Sequence, residues 1–148
     1  MAAQLIHVAD DVRTLLAAGS FSQAISPLRE LLNREQLSAL TTVAVQVVPA
    51  TVLITRAARP ASTVKDRRYG AEIWVQKKLN GTDAEIETEA AGLLLLVEEM
   101  IDYLFDNVLA TSGRYPETIE NDPAFSAEAY YQERLFESVV TATYRHFR

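Results

Sequence analysis

The chain has 148 residues, of which 49% are hydrophobic and 23% are charged, a composition typical of one globular domain rather than a disordered chain. Lys and Arg number 14 against 20 Asp and Glu, so the formal net charge is −6 and charge-driven coating of DNA is disfavoured. The absence of Cys excludes disulfides, thiolate metal sites and cysteine nucleophiles. The longest apolar run is far shorter than the ~20 residues of a membrane-spanning helix.

The first quarter of the chain predicts a helix and a short strand. Over residues 3–17, apolar residues recur at the three- and four-residue intervals of one helical face. Gly19 stands where a left-handed helix C-cap is expected. The alternation of residues 21–25 predicts a strand that ends at Pro27, and residues 28–37 are expected to form a turn or a short helix.

Two longer strands are predicted in the middle of the chain. Residues 42–55 alternate with the period of a half-buried strand. Pro49 cannot donate to a ladder, so this strand should lie at a sheet edge or be broken at that residue. Residues 69–79 form the second strand, and Asn80-Gly81 predicts the turn that follows it.

A long helix is predicted from about Asp83 to Val108, where Thr82 and Glu85 have the spacing of a capping box. One narrow apolar stripe runs along it: Ile86, Ala90, Leu93, Val97, Ile101, Leu104 and Val108. Residues 121–123 read as a loop, and residues 135–144 predict a terminal strand. This order predicts a single α+β domain, with a mixed or antiparallel sheet, the long helix on one face and an N-terminal helix.

The sequence offers little catalytic chemistry. It contains neither a Gly-rich phosphate loop nor a G-x-S-x-G elbow. His7, followed by Asp10 and Asp11, has the spacing of a helical metal site, although a solvated helix surface is the favoured interpretation. His146 lies close to the C-terminus, where we assign it no role. We therefore expect no catalytic residue, metal or cofactor.

Carboxylates on the long helix leave one enzymatic alternative open. Glu98, Asp102 and Asp106 are spaced by four and share a helical face. Two close carboxylates can serve as acid and base if burial separates their pKa values. These three lie opposite the apolar stripe, so a solvated or interface surface is favoured over a small carboxylate or metal-dependent enzyme.

Charge is distributed unevenly along the chain. Residues 56–68, which we predict to be a loop, carry one acid and five bases: Arg56, Arg59, Lys65, Arg67 and Arg68. The long helix carries eight acids between Asp83 and Asp106, with no Lys or Arg. Two solvated surfaces would explain this pattern. The sharper hypothesis is that the basic loop of one copy contacts the acidic helix face of the next.

One apolar residue interrupts the acidic face of that helix. Leu95 lies about 180° from the apolar stripe on a helical wheel, amid Glu98, Glu99, Asp102 and Asp106. A single exposed Leu is unremarkable in itself. Amid these acids, Leu95 is a candidate anchor for a partner, and the four acids are candidate contacts around it.

Five segments, in this order, resemble a family of small tailed-phage and prophage proteins, the tail-completion or tail-terminator proteins and related head–tail joining proteins. They are SFSQ (20–23), VAVQVVP (43–49), YGAEIWVQKKL (69–79), NDP (121–123) and LFESVVTATYR (135–145). The resemblance lies in the ordered set and covers the chain from about Ser20 to its end. Residues 28–38 depart from the pattern of the family.

The resemblance implies a structural virion protein with no catalytic residue and no cofactor. Tail terminators form a ring, commonly a hexamer, that caps the tail tube and meets the head–tail connector. The implied partners are other copies of the chain, the tail tube protein and the connector protein, with no membrane and no sequence-specific nucleic acid. The implied location is the tail or neck of the virion, and the host cytoplasm during assembly. The loop between the two main strands, residues 56–68 here, often makes ring or tube contacts.

Other functions remain open on the sequence alone. A head–tail connector, a neck protein or a baseplate component would also be a structural protein of the virion. A bacterial adaptor domain that binds one protein partner as a dimer, and the carboxylate or metal-dependent enzyme, belong to other classes. The oligomeric state separates these alternatives, because a ring needs two complementary surfaces on each copy.

Overall fold

Residues 3–31, 41–56 and 65–147 are described by the computed structural model of the chain. Within these ranges the chain forms three helices and one five-stranded sheet. In chain order the elements are α1 (Gln4–Ala18), β1 (Leu28–Arg29), β2 (Ala44–Arg56), β3 (Lys65–Lys78), α2 (Asp83–Asp106), β4 (Thr118–Asn121), α3 (Ala127–Glu133) and β5 (Leu135–Phe147).

The sheet has the strand order β1-β2-β3-β5-β4. Its pairs are antiparallel except β1 with β2, which is parallel, so the sheet is mixed. The long strands β2, β3 and β5 form its centre, and the short strands β1 and β4 flank them. The predicted α+β class, with a mixed sheet, an N-terminal helix and a long helix, is confirmed, although α2 ends at Asp106 rather than at Val108.

The core lies between one face of the sheet and the helices. Alternate side chains of β3 point to this face, and Ile73 and Val75 are fully buried there. In register beside Ile73 stand Val47 of β2 and Val140 of β5, which are buried as well. Helix α1 packs on β2 and β3, while α2 packs on β5 and against α1. Burial of these apolar surfaces provides the main driving force of folding.

Helix α2 begins as predicted, with the Thr82 hydroxyl accepting a hydrogen bond from the Glu85 amide at 3.3 Å. Gly81, just before it, has a φ of 118°, which favours glycine. The buried stripe is broader than predicted, since Leu96 and Met100 are also fully buried where α2 packs against α1 as well as against the sheet. It is also shorter than predicted, because the helix ends at Asp106 and Val108 is exposed.

The segment after α1 differs from its prediction. Gly19 has a φ of −76° and so is not a left-handed cap. No strand forms over residues 21–25 of the described chain. The short strand instead comes after Pro27, at Leu28–Arg29, where it pairs with β2. Residues 32–37 of the predicted turn or helix lie outside the described residues.

Two short elements near the C-terminus were not predicted. Strand β4 occupies Thr118–Asn121, so Asn121 ends a strand, and only Asp122 and Pro123 belong to the predicted loop. Helix α3 follows, capped by the Ser126 hydroxyl. The terminal strand is confirmed, and it extends to Phe147.

Pro49 lies within β2 without ending it. The strand continues to Arg56, with a register shift against β3 between Pro49 and Thr51. Strand β1 pairs only with Gln46 and Val47, so in the described chain β2 has no partner on its outer side from Pro49 onwards. The edge position inferred from Pro49 is therefore correct, and the break is a shift in register rather than an end.

Candidate interaction surfaces

At both ends the basic segment is strand rather than loop, which corrects the loop prediction at Arg56 and at residues 65–68; residues 57–64 lie outside the described residues. Arg56 is the last residue of β2, and Lys65, Arg67 and Arg68 lie in β3. The two strands remain paired up to Arg56 and Lys65, because the antiparallel ladder resumes after the register shift. Arg59 lies outside the described residues. We call residues 51–56 and 65–70 the arm.

The arm exposes three consecutive apolar side chains. Val52, Leu53 and Ile54 are 48%, 53% and 52% exposed. Since successive side chains of a strand point to opposite faces, apolar surface is exposed on both faces of the arm. These residues were not among the predicted contact residues, although the unbroken apolar run at 52–54 departs from the alternation before it. Large exposed apolar patches mark interaction sites in soluble proteins, so the arm is a candidate contact surface.

An ion-pair network joins the arm to β5 and to the residue before β4. Asp66 is almost fully buried and accepts hydrogen bonds from Nε and Nη2 of Arg145 at 3.0 and 2.9 Å. It accepts another from Arg68 at 3.0 Å. These hydrogen bonds, chiefly those from Arg145, hold the pKa of Asp66 below its ordinary value, although burial acts in the opposite direction. Asp66 is therefore a carboxylate that the fold keeps charged.

Arg68 also binds Glu117, which precedes β4. Its Nε and Nη2 donate to the two carboxylate oxygens of Glu117 at 2.8 and 3.2 Å. This pairing raises the pKa of Arg68, which stays charged. Arg68 is thus neutralised within its own chain. By contrast, Lys65 is exposed, and neither Lys65 nor Arg67 forms an ion pair with a described residue.

The second surface lies on α2 and is acidic. Leu95 is 49% exposed, and Glu98, Asp102 and Asp106 are exposed as well. Their spacing places them along one side of the helix, away from the buried stripe. Phe105 lies on the same side and is 58% exposed, a residue that sequence reasoning missed. We call these five residues the acidic face.

Glu99 is engaged within the chain and does not belong to the acidic face. Its carboxylate accepts hydrogen bonds from the backbone amide and the hydroxyl of Ser22, at 2.9 and 2.8 Å. Beside this contact, the rings of Phe21 and Tyr103 meet edge to face with centroids 5.4 Å apart. Both contacts fix the segment after α1 on α2, so the role of Glu99 in the structure is to hold this segment.

The carboxylates near His7 have other partners. Asp10 forms an ion pair with Arg29 at 2.6 Å, and Asp11 accepts a hydrogen bond from the Thr111 hydroxyl at 3.0 Å. Among the residues that the structure describes, no three His, Asp or Glu side chains are grouped so that they could hold a metal ion. The arrangement at His7 is that of a helix surface tied to its neighbours.

A groove lies between the first half of α2 and α3. Its volume is about 500 Å³, and its walls include Ile86, Leu94, Phe125 and Tyr130. Asp83 and Glu87 also line the groove, so it is apolar with acidic residues beside it. The acidic character of α2 therefore extends beyond the acidic face.

Within the described ranges, no helix combines the length and the apolar character needed to cross a membrane. No protein-family model matches the chain, and no curated protein matches its sequence. In the described part of the molecule, the arm and the acidic face are the candidate contact surfaces, and they lie on different elements of the fold.

Proposed function

We propose that the protein is a structural assembly protein of a phage or prophage tail, a tail terminator or tail-completion component that forms a ring with copies of itself. The observation that carries this proposal is the arm, whose residues Val52, Leu53 and Ile54 are each about half exposed. The resemblance of the five sequence segments to tail-completion proteins supports the assignment to a tail.

The exposed apolar side chains supply a driving force for self-association. Complete burial of a Val, Leu or Ile side chain contributes about 1.5–3 kcal/mol, so burying the exposed half of each contributes roughly half as much. Leu95 and Phe105 on the acidic face offer similar apolar area. A contact between these two surfaces would remove both from water.

Charge complements this apolar contact. Lys65 lies at the end of the arm, whereas Glu98 and Asp102 lie on the acidic face. Like charges four residues apart on a helix repel one another, and a cation from a neighbouring copy relieves that repulsion. Such pairs contribute more to orientation and to the rate of association than to affinity.

Two different surfaces on one chain favour a ring over a symmetric dimer. A contact between unlike surfaces repeats from copy to copy. The copies form a closed ring when the repeated rotation between neighbours adds up to one full turn. A ring is the form that could cap a tail tube and present another surface to a connector. The tail tube protein and the head–tail connector protein are therefore the proposed further partners.

The proposal is tested by the mass of the purified protein in sedimentation experiments over a range of protein and salt concentrations. We expect a discrete oligomer, seen as a ring by electron microscopy, that dissociates partly as salt is raised. Lys65→Glu should weaken it, and so should Glu98→Lys with Asp102→Lys. Combining both sets of changes in one chain should restore assembly.

Lys78→Glu is the matched control, because Lys78 is an exposed lysine at the other end of the same strand. It should leave the mass distribution unchanged. A protein that remains a monomer at every concentration, with no binding to tail tubes, would overturn the proposed function. If none of the charge reversals weakened assembly, the contact between Lys65 and the acidic face would be wrong, while the proposed assembly function would stand.

A further inference from the structure

Within the described ranges, the outer edge of the arm is a strand edge that lacks the usual protection against pairing. Natural edge strands are blocked by Pro, Lys, bulges or an overlying segment. In β2 the proline and the register shift come at residues 49–51, before the arm, and the first charge after them is Arg56. The intervening residues, TVLIT, favour extended structure. Within the described residues no strand pairs with this edge.

The backbone groups that point outward can be assigned from the register. The Val47 carbonyl accepts from the Glu30 amide at 3.0 Å, so Val47 faces away from β3. Orientation alternates along a strand, and the register shift moves the outward set by one residue. Val52 and Ile54 therefore direct their N–H and C=O groups outward, while Leu53 directs its groups to β3.

The opposite edge of the sheet is β4. It pairs with β5, and in the described chain it has no strand on its other side. The Glu117 and Asp122 amides donate to the carbonyls of Thr143 and Val139 of β5. The backbone groups of residues 139, 141 and 143 of β5 therefore face β4. In the register, residues 118 and 120 lie opposite 143 and 141, so their backbone groups face β5. Because orientation alternates along a strand, the backbone groups of Ile119 and Asn121 face outward.

Strand directions make these two edges compatible. Each pair from β2 through β3 and β5 to β4 is antiparallel, so β4 runs opposite to β2. A second copy related by rotation about an axis along the strands therefore brings its β4 antiparallel to this β2. Glu120 of β4 then lies beside the arm of the neighbouring copy, and Glu117, which precedes β4 and is paired with Arg68, lies towards Arg56.

We propose that the outer edge of the arm pairs with β4 of a second copy, with Ile54 opposite Ile119 and Val52 opposite Asn121. The sheets of neighbouring copies are then continuous, and side chains on the helix-covered face of one sheet adjoin those on the same face of the next. This proposal rests on the proposed self-association and names the backbone contact that carries it.

Ile54→Pro tests the outward N–H directly, because proline removes that donor while the ladder to β3, which uses Leu53, is retained. Sedimentation should show a dissociation constant raised by about tenfold or more. The matched control is Ile54→Thr, which keeps the amide and the β-branch and should have the smaller effect. An Ile54→Pro protein that melts like its parent and assembles as well as Ile54→Thr would overturn the proposal.

Cross-linking gives a second test, for which the absence of Cys makes the chain well suited. In the proposed register Leu53 lies opposite Glu120 as a non-hydrogen-bonded pair, whose Cα separation suits a disulfide. Oxidation of the Leu53→Cys, Glu120→Cys double variant should link neighbouring copies into covalent oligomers. Leu53→Cys with Asp102→Cys, the pairing expected if the arm docks only on α2, should not.

The outcomes separate this inference from the proposed function. Cross-linking through Glu120→Cys alone supports edge pairing. Cross-linking through Asp102→Cys alone, or through neither position in a protein that still forms oligomers, overturns edge pairing and leaves the assembly function intact. A parent protein that does not self-associate overturns both.

Discussion

Asp66 of β3 and Arg145 of β5 are joined by two hydrogen bonds, at 3.0 and 2.9 Å, across neighbouring strands of the sheet. Directly opposite Arg145 in the register stands Arg68, a second cation. Like charges directly opposite on a sheet are destabilising. Asp66 lies between the two guanidinium groups and bonds to both, so it offsets the repulsion between Arg68 of the arm and Arg145 of β5.

We expect Asp66→Asn to lower the melting temperature by several degrees. The variant keeps the size of the side chain but leaves Arg68 and Arg145 facing one another without the carboxylate between them. Differential scanning calorimetry measures the change. Asp106→Asn, which neutralises an exposed acid of the acidic face, should cause no such loss. Equal melting temperatures for both variants would contradict a structural role of Asp66.

The lowered pKa of Asp66 also predicts a pH dependence. Because the folded pKa lies below the ordinary value of 3.8, the charged carboxylate stabilises the fold fully at pH values well above 3.8. This contribution is lost as the pH falls from about that value through the folded pKa. Acid titration of stability should therefore show the parent and Asp66→Asn converging at low pH. A constant difference between them would argue against the ion pair as its source.

The sequence alone predicted the elements that bury one side against the core, because their apolar residues recur with the period of a helix or a strand. Helix α2 was predicted from its stripe and from the cap at Thr82, and β3 and β5 from their alternation. These patterns are local consequences of packing against one core. Strand β4 and helix α3 are too short to show a period, and they are fixed by contacts with β5.

The arm shows why composition predicted a loop where the described residues form strands. Charged and small residues between residues 56 and 68 suggested a loop, yet Lys65 to Arg68 pair in register with β2 and β5. A sheet with one solvated face accepts polar side chains, and here Asp66 and Arg145 stabilise that face. The main partner of Asp66, Arg145, is 79 residues away, so no local pattern could reveal this pair.

Tyr144 is nearly fully buried, and its hydroxyl has no hydrogen-bond partner among the residues that the structure describes. Burial raises the pKa of this phenol, which stays protonated. A buried hydroxyl without a hydrogen bond loses its interactions with water on folding, and this desolvation destabilises the folded state. We expect Tyr144→Phe to leave the free energy of unfolding unchanged or to raise it by up to about 1 kcal/mol. Urea denaturation measures this, and a clear loss of stability would show that the hydroxyl has a partner.

Leu95 and Leu96 are neighbours in sequence with opposite environments, 49% exposed and fully buried. Leu96→Ala should lower the free energy of unfolding by about 2–5 kcal/mol, since it leaves a cavity between α2 and its neighbours. Leu95→Ala should change it by less than about 0.5 kcal/mol. In sedimentation experiments Leu95→Ala should nevertheless weaken self-association. A stable variant that assembles as strongly as the parent would exclude Leu95 from the interface.

Glu98 and Glu99 provide a similar test of which acid serves assembly and which serves the fold. Glu99 accepts two hydrogen bonds from Ser22, so Glu99→Ala should lower the free energy of unfolding by about 1 kcal/mol or more by releasing the segment after α1. Glu98 is exposed, and Glu98→Ala should leave stability unchanged while it weakens assembly. Urea denaturation and sedimentation of both variants give the comparison. If Glu99→Ala impaired assembly at full stability, Glu99 would belong to the acidic face after all, and the hydrogen bonds to Ser22 would have to break when copies associate.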